Sequence, residues 1–335
     1  LRDDTGVVSY VPGDLTLTVR AGTTLAEIER VTLEHDQWLP LDPYGSSDGT
    51  IGATIATASA GPLSASFGLP RDLLLGLEFV NGRGDVVRAG GKVVKNVAGF
   101  DLSRLLTGSW GTLGVITEVT LRLYARPQAD RTFVISLRGQ ANQTRALTQA
   151  TSSALNPYAI LFVGISAARA LGLGEHAVCL IRFGGNDAVG AAQLNALSQI
   201  SRPEEVESQV WTALRELDGD ADSVARISSL PVRFLDTAGQ MLSDDNPSVY
   251  TSIDPRRGVL RIVVGVKLQD GEQSGLELSV DEQVDGGVST EVIFEKLPAE
   301  VWPHVSPSVV ADPLSQGIKK AYDPHSILNP GILGD

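Results

Sequence analysis

Runs of glycine and other small residues constrain this chain more than any other feature. Two lie in its first third, Gly49-Thr50-Ile51-Gly52-Ala53-Thr54-Ile55-Ala56-Thr57-Ala58-Ser59-Ala60-Gly61 and Gly108-Ser109-Trp110-Gly111-Thr112-Leu113-Gly114. A backbone without bulky side chains can approach a neighbour closely. Its exposed N–H groups can then bond an anion or the polar edge of a flat ring. The same composition also serves turns and tight packing within the chain, and residue type alone leaves both readings open. Glycine numbers 35 among 335 residues, and many of these cluster before residue 115.

Around these runs, short strands and helices alternate. Leu15–Arg20 is apolar at every second position, the pattern of a half-buried strand. Thr24 and Glu27 form a capping-box pair ahead of a helix whose apolar face is Leu25, Ile28 and Val31, reaching about His35. Leu74–Asn81 and Asp85–Ala89 read as a hairpin around Gly82-Arg83-Gly84, Asp101–Leu106 as one or two helical turns, and Val115–Tyr124 as a long strand. Arg126-Pro127 closes this block. Beyond it, strand-like runs (Thr132–Leu137, Ala159–Ser166, Ala177–Phe183, Leu260–Val266) alternate with helical ones (Ala188–Ile200, Glu204–Glu216), which predicts an α+β domain of β-α-β units. Pro313–Tyr322 reads as a helix. A chain of this length is expected to form two domains, and the fold class expected is α+β.

Several functions are disfavoured. Lys and Arg total 27 against 40 Asp and Glu, a net charge of −13, which argues against nucleic acid and anionic membrane as partners. Cys179 stands alone, so neither a disulfide framework nor a cysteine-ligated cluster is expected. His35, His176, His304 and His325 are scattered without ligand spacing, and no metal site is expected. No apolar run approaches the roughly 18 residues of a membrane span. Position 1 is Leu and the single Met is Met241, so the native N-terminus is expected upstream. A Walker loop, a Rossmann fingerprint and a G-x-S-x-G elbow are all absent. What remains is the segment Gly90–Leu102. There Lys95 and Asn96 can face an anionic ring or a substrate carboxylate, or can cap and solvate a turn.

Taken together, particular segments resemble the flavin-binding glycolate oxidase subunits of the FAD-linked oxidase superfamily named for vanillyl-alcohol oxidase and p-cresol methylhydroxylase (PCMH). They are Asp14–Leu25, Gln37–Pro40, Thr50–Gly52, Arg71–Gly76, Lys95–Leu105, Gly111–Glu118 and the tail Asp323–Gly331. The resemblance implies a PCMH-type FAD-binding domain (1–127), a cap or substrate domain (128–305) and a C-terminal segment returning to the first domain (306–335). It implies non-covalent FAD, lined by Pro43, Thr50, Ile51, Gly52, Ala56, Ser59, Ala60, Gly61, Gly111, Gly114, Val115 and Ile116, with Asn329 near the ring and Lys95 and Asn96 as polar contacts. The implied chemistry is oxidation of a small 2-hydroxy acid by hydride transfer to flavin. Other flavin and iron–sulfur subunits would act as partners, in a cytoplasmic setting that is peripheral to the inner membrane only through them.

The chain also departs from the family. The subdomain bearing the pyrophosphate loop should precede residue 10, so the FAD domain is expected to be N-terminally incomplete. Leu63-Ser64-Ala65 stands where the family has a basic pair. The closing motif reads Gly331-Ile332-Leu333 without its Arg, and the cap's His-Ala-Thr-Arg-like stretch is Val288-Ser289-Thr290-Glu291. These lost cations keep two alternatives open: a flavin-free assembly subunit, and a stand-alone dehydrogenase for another hydroxy acid such as D-lactate. The sequence identifies no general base.

Overall fold

A computed structural model describes residues 2–91, 101–138, 155–199, 201–219, 221–231, 241–265, 291–302, 312–330 and 332. The chain divides into two compact units, Leu1–Arg126 with Pro303–Asp335, and Pro127–Trp302.

The first unit is built on a five-stranded antiparallel sheet. Its strands, with the short ribbon β3–β7, are β1 (Val7–Val11), β2 (Thr16–Arg20), β3 (Gln37–Trp38), β4 (Leu74–Val80), β5 (Val86–Gly90), β6 (Val115–Arg122) and β7 (Tyr124–Ala125). The sheet order is β1-β2-β6-β4-β5. The helices are α1 (Leu25–Leu33), α2 (Ile51–Thr57), α3 (Ser64–Phe67), α4 (Pro70–Leu73) and α5 (Leu102–Leu106). Strand β2 is buried on both faces rather than half-buried. Leu17 and Val19 join the core with Ile28, Ile51, Ile55, Phe79 and Leu121. On the opposite face the hydroxyls of Thr18 and Thr120 bond each other at 3.0 Å, which satisfies polar groups that burial would otherwise penalise.

The hairpin expected at 74–89 forms between β4 and β5. Asn81 sets its turn, since the side-chain Oδ1 accepts the N–H groups of Arg83 (2.9 Å) and Asp85 (3.0 Å). Helix α1 starts where expected, with Thr24 Oγ1 accepting the Glu27 N–H at 3.1 Å. The Glu27 carboxylate pairs with Arg30, two contacts of 2.8 Å, in place of the reciprocal capping bond. The C-terminal helix, Pro313–Tyr322, lays Ile318 and Tyr322 on this unit's core.

Among the described residues the second unit is an eight-stranded sheet with three helices. Its elements are β8 (Ala129–Ser136), β9 (Ala159–Val163), α6 (Ile165–Ala170), β10 (Val178–Gly185), α7 (Asp187–Ser198), β11 (Glu204–Val206), α8 (Gln209–Glu216), β12 (Ala221–Ser228), β13 (Val249–Asp254), β14 (Val259–Gly265) and β15 (Glu291–Lys296). The strand order is β11-β8-β10-β9-β13-β14-β12-β15, and each of these pairings is antiparallel. Strand–helix alternation does yield a β-α-β unit: β10 and β11 both run antiparallel to β8, so they are parallel to each other, and α7 joins them with β8 lying between. Glu204–Val206 is an edge strand against β8, not the start of a helix.

One core of this unit gathers Phe133, Phe162, Phe183, Ile253 and Leu260 around Cys179, whose thiol burial pushes up, out of reach of physiological ionisation. Arg261, almost fully buried, bridges the carboxylates of Asp218 and Glu295, the latter at 2.6 Å. Arg226 meets the same Glu295 at 2.9 Å. Among the described residues no helix is long and apolar enough to cross a membrane.

Candidate functional site

Three segments of the first unit converge: the C-terminal end of α2 with the residues after it, the loop after α5, and the tail after the C-terminal helix. Helix α2 stops at Ala58, whose φ of 52° is left-handed, so the chain turns sharply there. The loop docks on that end through the Gly108 N–H to the Ile55 carbonyl (3.0 Å) and the Trp110 N–H to the Ala56 carbonyl (2.8 Å). Trp110 and Gly111 follow with φ of 53° and 73°, which turns the backbone over so that the loop can close. Thr112 finishes the turn, its N–H and its hydroxyl both bonding the Ser109 carbonyl, at 3.0 and 2.7 Å.

The tail is held against this loop from below. Asn329, itself at φ 43°, donates from Nδ2 to the Trp110 carbonyl at 2.6 Å. Lys319 donates to the Thr112 carbonyl (3.1 Å), the Leu328 carbonyl (3.1 Å) and the Asp323 carboxylate (2.9 Å). Asp323 has no exposed side-chain surface. It accepts the N–H groups of Ile327 (3.1 Å) and Leu328 (2.9 Å) and packs directly against Gly82 of the β4–β5 turn. Burial opposes ionisation of this carboxyl. The Leu328 N–H, the Lys319 ammonium and the Ile327 N–H outweigh it and hold the group below its ordinary value.

The residues expected to line a cofactor separate into two groups. Ala56, Ser59, Ala60 and Gly111 are half-buried, Thr50 is half-buried at the start of α2, and Val115 and Asn329 are exposed. Ile51 and Ile116 are core residues, and Pro43, Gly52, Gly61 and Gly114 are buried.

For the three buried glycines the structure supplies a packing reason for their smallness. A Cβ on Gly52 would stand 2.7 Å from the Ala21 Cβ and 2.8 Å from its carbonyl oxygen. One on Gly61 would strike the Asp42 carbonyl, and one on Gly114 the Phe79 ring. Their missing side chains admit other parts of the chain. Gly111 differs. Among the described residues only Asn329 Nδ2, at 3.9 Å, lies near the position its Cβ would take. Lys95 and Asn96 lie outside the described residues, as do Val288-Ser289-Thr290, Gly331 and Leu333.

Sequence reasoning passed over three residues here. Lys319 and Asp323 stand four apart on one helical face just before the closing motif, a spacing that signals an ion pair but not its carbonyl partners. Ser109 sits between glycines. Among the described residues its Oγ is buried and has no hydrogen-bond partner. A buried hydroxyl without a partner costs about 1–3 kcal/mol, which marks the loop as a candidate polar contact. Ala56, Ser59, Ala60 and Gly111 are half-buried residues with small side chains, and the bond from the Trp110 N–H to the Ala56 carbonyl brings their two segments together. Among the described residues no three His, Cys, Asp or Glu come together as they would around a metal ion.

Comparison with known proteins places the chain among FAD-linked oxidases. A family profile described as an FAD binding domain matches residues 1–90. The glycolate oxidase subunit GlcE of Escherichia coli (strain K12) is 34% identical over 253 residues, covering 73% of this chain and 67% of that protein. The D-2-hydroxyglutarate dehydrogenase of Xanthomonas citri pv. viticola is 27% identical over 373 residues, covering 96% of this chain and 76% of that protein. Among solved structures, alkyldihydroxyacetonephosphate synthase superposes with a TM-score of 0.68 at 18% identity, covering 98% of this chain and 67% of that one, a likeness of fold. The five-stranded sheet, the fastened loop and the kinship with GlcE converge on one assignment: the chain belongs to the glycolate oxidase subunit family of FAD-linked oxidases.

Proposed function

We propose that this protein is an FAD-carrying subunit of a glycolate-oxidase-like complex and takes part in the oxidation of a small 2-hydroxy acid. The observation that carries the proposal is the loop 108–112, whose Ser109 hydroxyl is buried without a partner among the described residues and which is fastened to half-buried small residues at the end of α2, in a member of an FAD-linked family. Bound FAD would supply the acceptor for the hydride that leaves the hydroxyl-bearing carbon. The chain's own residues would bind and orient it: Ser109 is the candidate donor, Ala56, Ser59, Ala60 and Gly111 would let it lie close, and Asn329 holds the Trp110 carbonyl in place. Thr50 and Val115 flank this surface, and Lys95 and Asn96 are its candidate polar contacts. The FAD domain at 1–127 with 306–335, the cap at 128–305, the iron–sulfur and second flavin partners and the cytoplasmic setting belong to the same proposal.

One observation favours a second reading, a flavin-free subunit that keeps the fold for assembly. Where the family has a basic pair after Gly61-Pro62, this chain buries Leu63 and Ser64, and the Asp42 carboxylate accepts the Leu63 N–H at 3.2 Å. That places an anion, not a cation, at this position.

The visible absorption spectrum of the purified full-length protein separates the readings. A flavin spectrum after reconstitution with FAD is expected. Its absence, at FAD concentrations far above those that saturate other members of the family, would leave the assembly reading. Anaerobic bleaching by glycolate in preference to D-lactate, and co-purification with an iron–sulfur subunit, would separate the complex from a stand-alone enzyme.

A further inference from the structure

We propose that Lys319 is a positioning residue for the cofactor surface, clamping loop 108–112 to tail 323–329 so that Ser109 and Gly111 are presented in one fixed geometry. The inference rests on the reading of that surface as FAD-binding. The Lys319 side chain is 15% exposed. An ammonium so far from water is tolerated only when its hydrogens find acceptors. An ion pair with Asp323 alone would meet the charge. Lys319 instead bonds three acceptors among the described residues, and two of these are main-chain carbonyls on different segments: Thr112, 207 residues away in sequence, and Leu328, nine residues away.

Thr112 is the residue that closes the loop on Ser109 by two bonds, so fixing its carbonyl fixes the loop's far end. Leu328 precedes Asn329, whose amide holds the Trp110 carbonyl. Asp323 completes the clamp from the other side, because the same carboxylate that pairs with Lys319 accepts two tail N–H groups. Remove Lys319, and loop and tail keep a single described side-chain bond between them, the exposed one from Asn329.

The experiment compares the wild-type full chain with Lys319→Met, with the double variant Lys319→Met/Asp323→Asn, which leaves no unpaired buried charge if the single variant fails to fold, and with Leu17→Ala, which truncates a fully buried core side chain on β2. The last lowers the stability of the same unit without touching the clamp. FAD affinity is read by titration, ring environment by flavin fluorescence, and loop order by amide hydrogen exchange of the 106–114 peptide.

The clamp predicts a rise in Kd for FAD of about tenfold or more, about 1.4 kcal/mol. It also predicts partial recovery of quenched flavin fluorescence and faster exchange in 106–114. Leu17→Ala, compared at equal distance below its own melting temperature, should keep the wild-type affinity. Unchanged Kd and fluorescence in the double variant, or an equal loss of affinity in Leu17→Ala, would overturn the proposal and leave Lys319 a stabilising residue only. A wild-type chain that binds no FAD would remove the functional reading, while exchange still decides the clamp: wild-type exchange rates in 106–114 of the double variant would refute it.

Discussion

Replacing Gly52 with Ala tests whether the small-residue run on α2 exists for a ligand or for the chain itself. In an open cradle the substitution would stabilise the protein, since Ala is favoured over Gly in a helix by up to about 1 kcal/mol. The structure leaves no room for it. The new methyl would stand 2.7 Å from the Ala21 Cβ and 2.8 Å from the Ala21 oxygen, well inside van der Waals contact. That oxygen also accepts the Gly52 N–H at 2.9 Å, so moving α2 away to relieve the clash weakens the bond between α2 and the end of β2. Overpacking of this kind costs about 1–3 kcal/mol, and a weakened hydrogen bond adds up to about 1 kcal/mol. Against a helix-propensity gain reduced by the position's place in the first turn, the net loss is about 1–3 kcal/mol. At roughly 2–4 °C per kcal/mol, the first unit should melt about 2–12 °C lower. Gly317→Ala is the internal control. It makes the same chemical change inside the C-terminal helix, where nothing lies within 4 Å of the new methyl, and should raise stability by up to about 1 kcal/mol. Thermal unfolding followed by circular dichroism reads both. Shifts of the same sign, or a Gly52→Ala protein as stable as wild type, would refute the argument.

Asp323→Asn should lower stability by about 1–3 kcal/mol at neutral pH. Because the folded carboxyl titrates below its unfolded value, its contribution is complete above that value and is lost as the pH falls through the folded one. Urea denaturation from pH 7 to pH 3 should therefore show wild type and variant converging in acid, and a constant gap would contradict the assignment. Arg261→Leu strands the Asp218 and Glu295 carboxylates in the second unit and should cost about 3–5 kcal/mol, whereas surface-pair variants such as Arg30→Ala should stay within about 1 kcal/mol by the same denaturation assay. Cys179, 1% exposed, should resist thiol reagents in the native protein and react only on unfolding, and stoichiometric labelling without denaturant would count against its place in the core.

What could be read from the residues depended on how local the cause was. The Thr24 cap, the 74–89 hairpin and the C-terminal helix are set by neighbours within a few positions, and they stand where their patterns put them. Strand pairing is not local. Nothing in Ala159–Val163 says that it lies between β10 and β13, so the alternation of strands and helices left unread which strand stands between the members of a β-α-β unit. The glycines are ambiguous for a related reason. A missing Cβ is visible in a sequence, but what fills its place is not, and at Gly52, Gly61 and Gly114 the occupants come from 31, 19 and 35 positions away. In the site, small residues and Asn329 were legible as composition and resemblance. Lys319 and Ser109 were not, because their significance rests on carbonyls and an empty hydrogen-bond position that exist only once the chain has folded.

The tail that fastens the loop also sets a clock. Trp110 and Asn329 stand 219 positions apart. At about 5–20 residues per second of synthesis, the Trp110 carbonyl is made about 10–40 s before the amide that will hold it. Through that interval the Trp110 and Thr112 carbonyls lack their donors from the tail, while Pro127–Trp302, with a core of its own, can fold. Closing so long a stretch adds little further entropy cost, because that cost grows only with the logarithm of length. The candidate site is thus the last part of the first unit to be finished. A nascent chain, or one clipped within 312–330, would keep the loop's own turn and its bonds to α2 but not the bonds from Lys319 and Asn329 that fasten it to the tail.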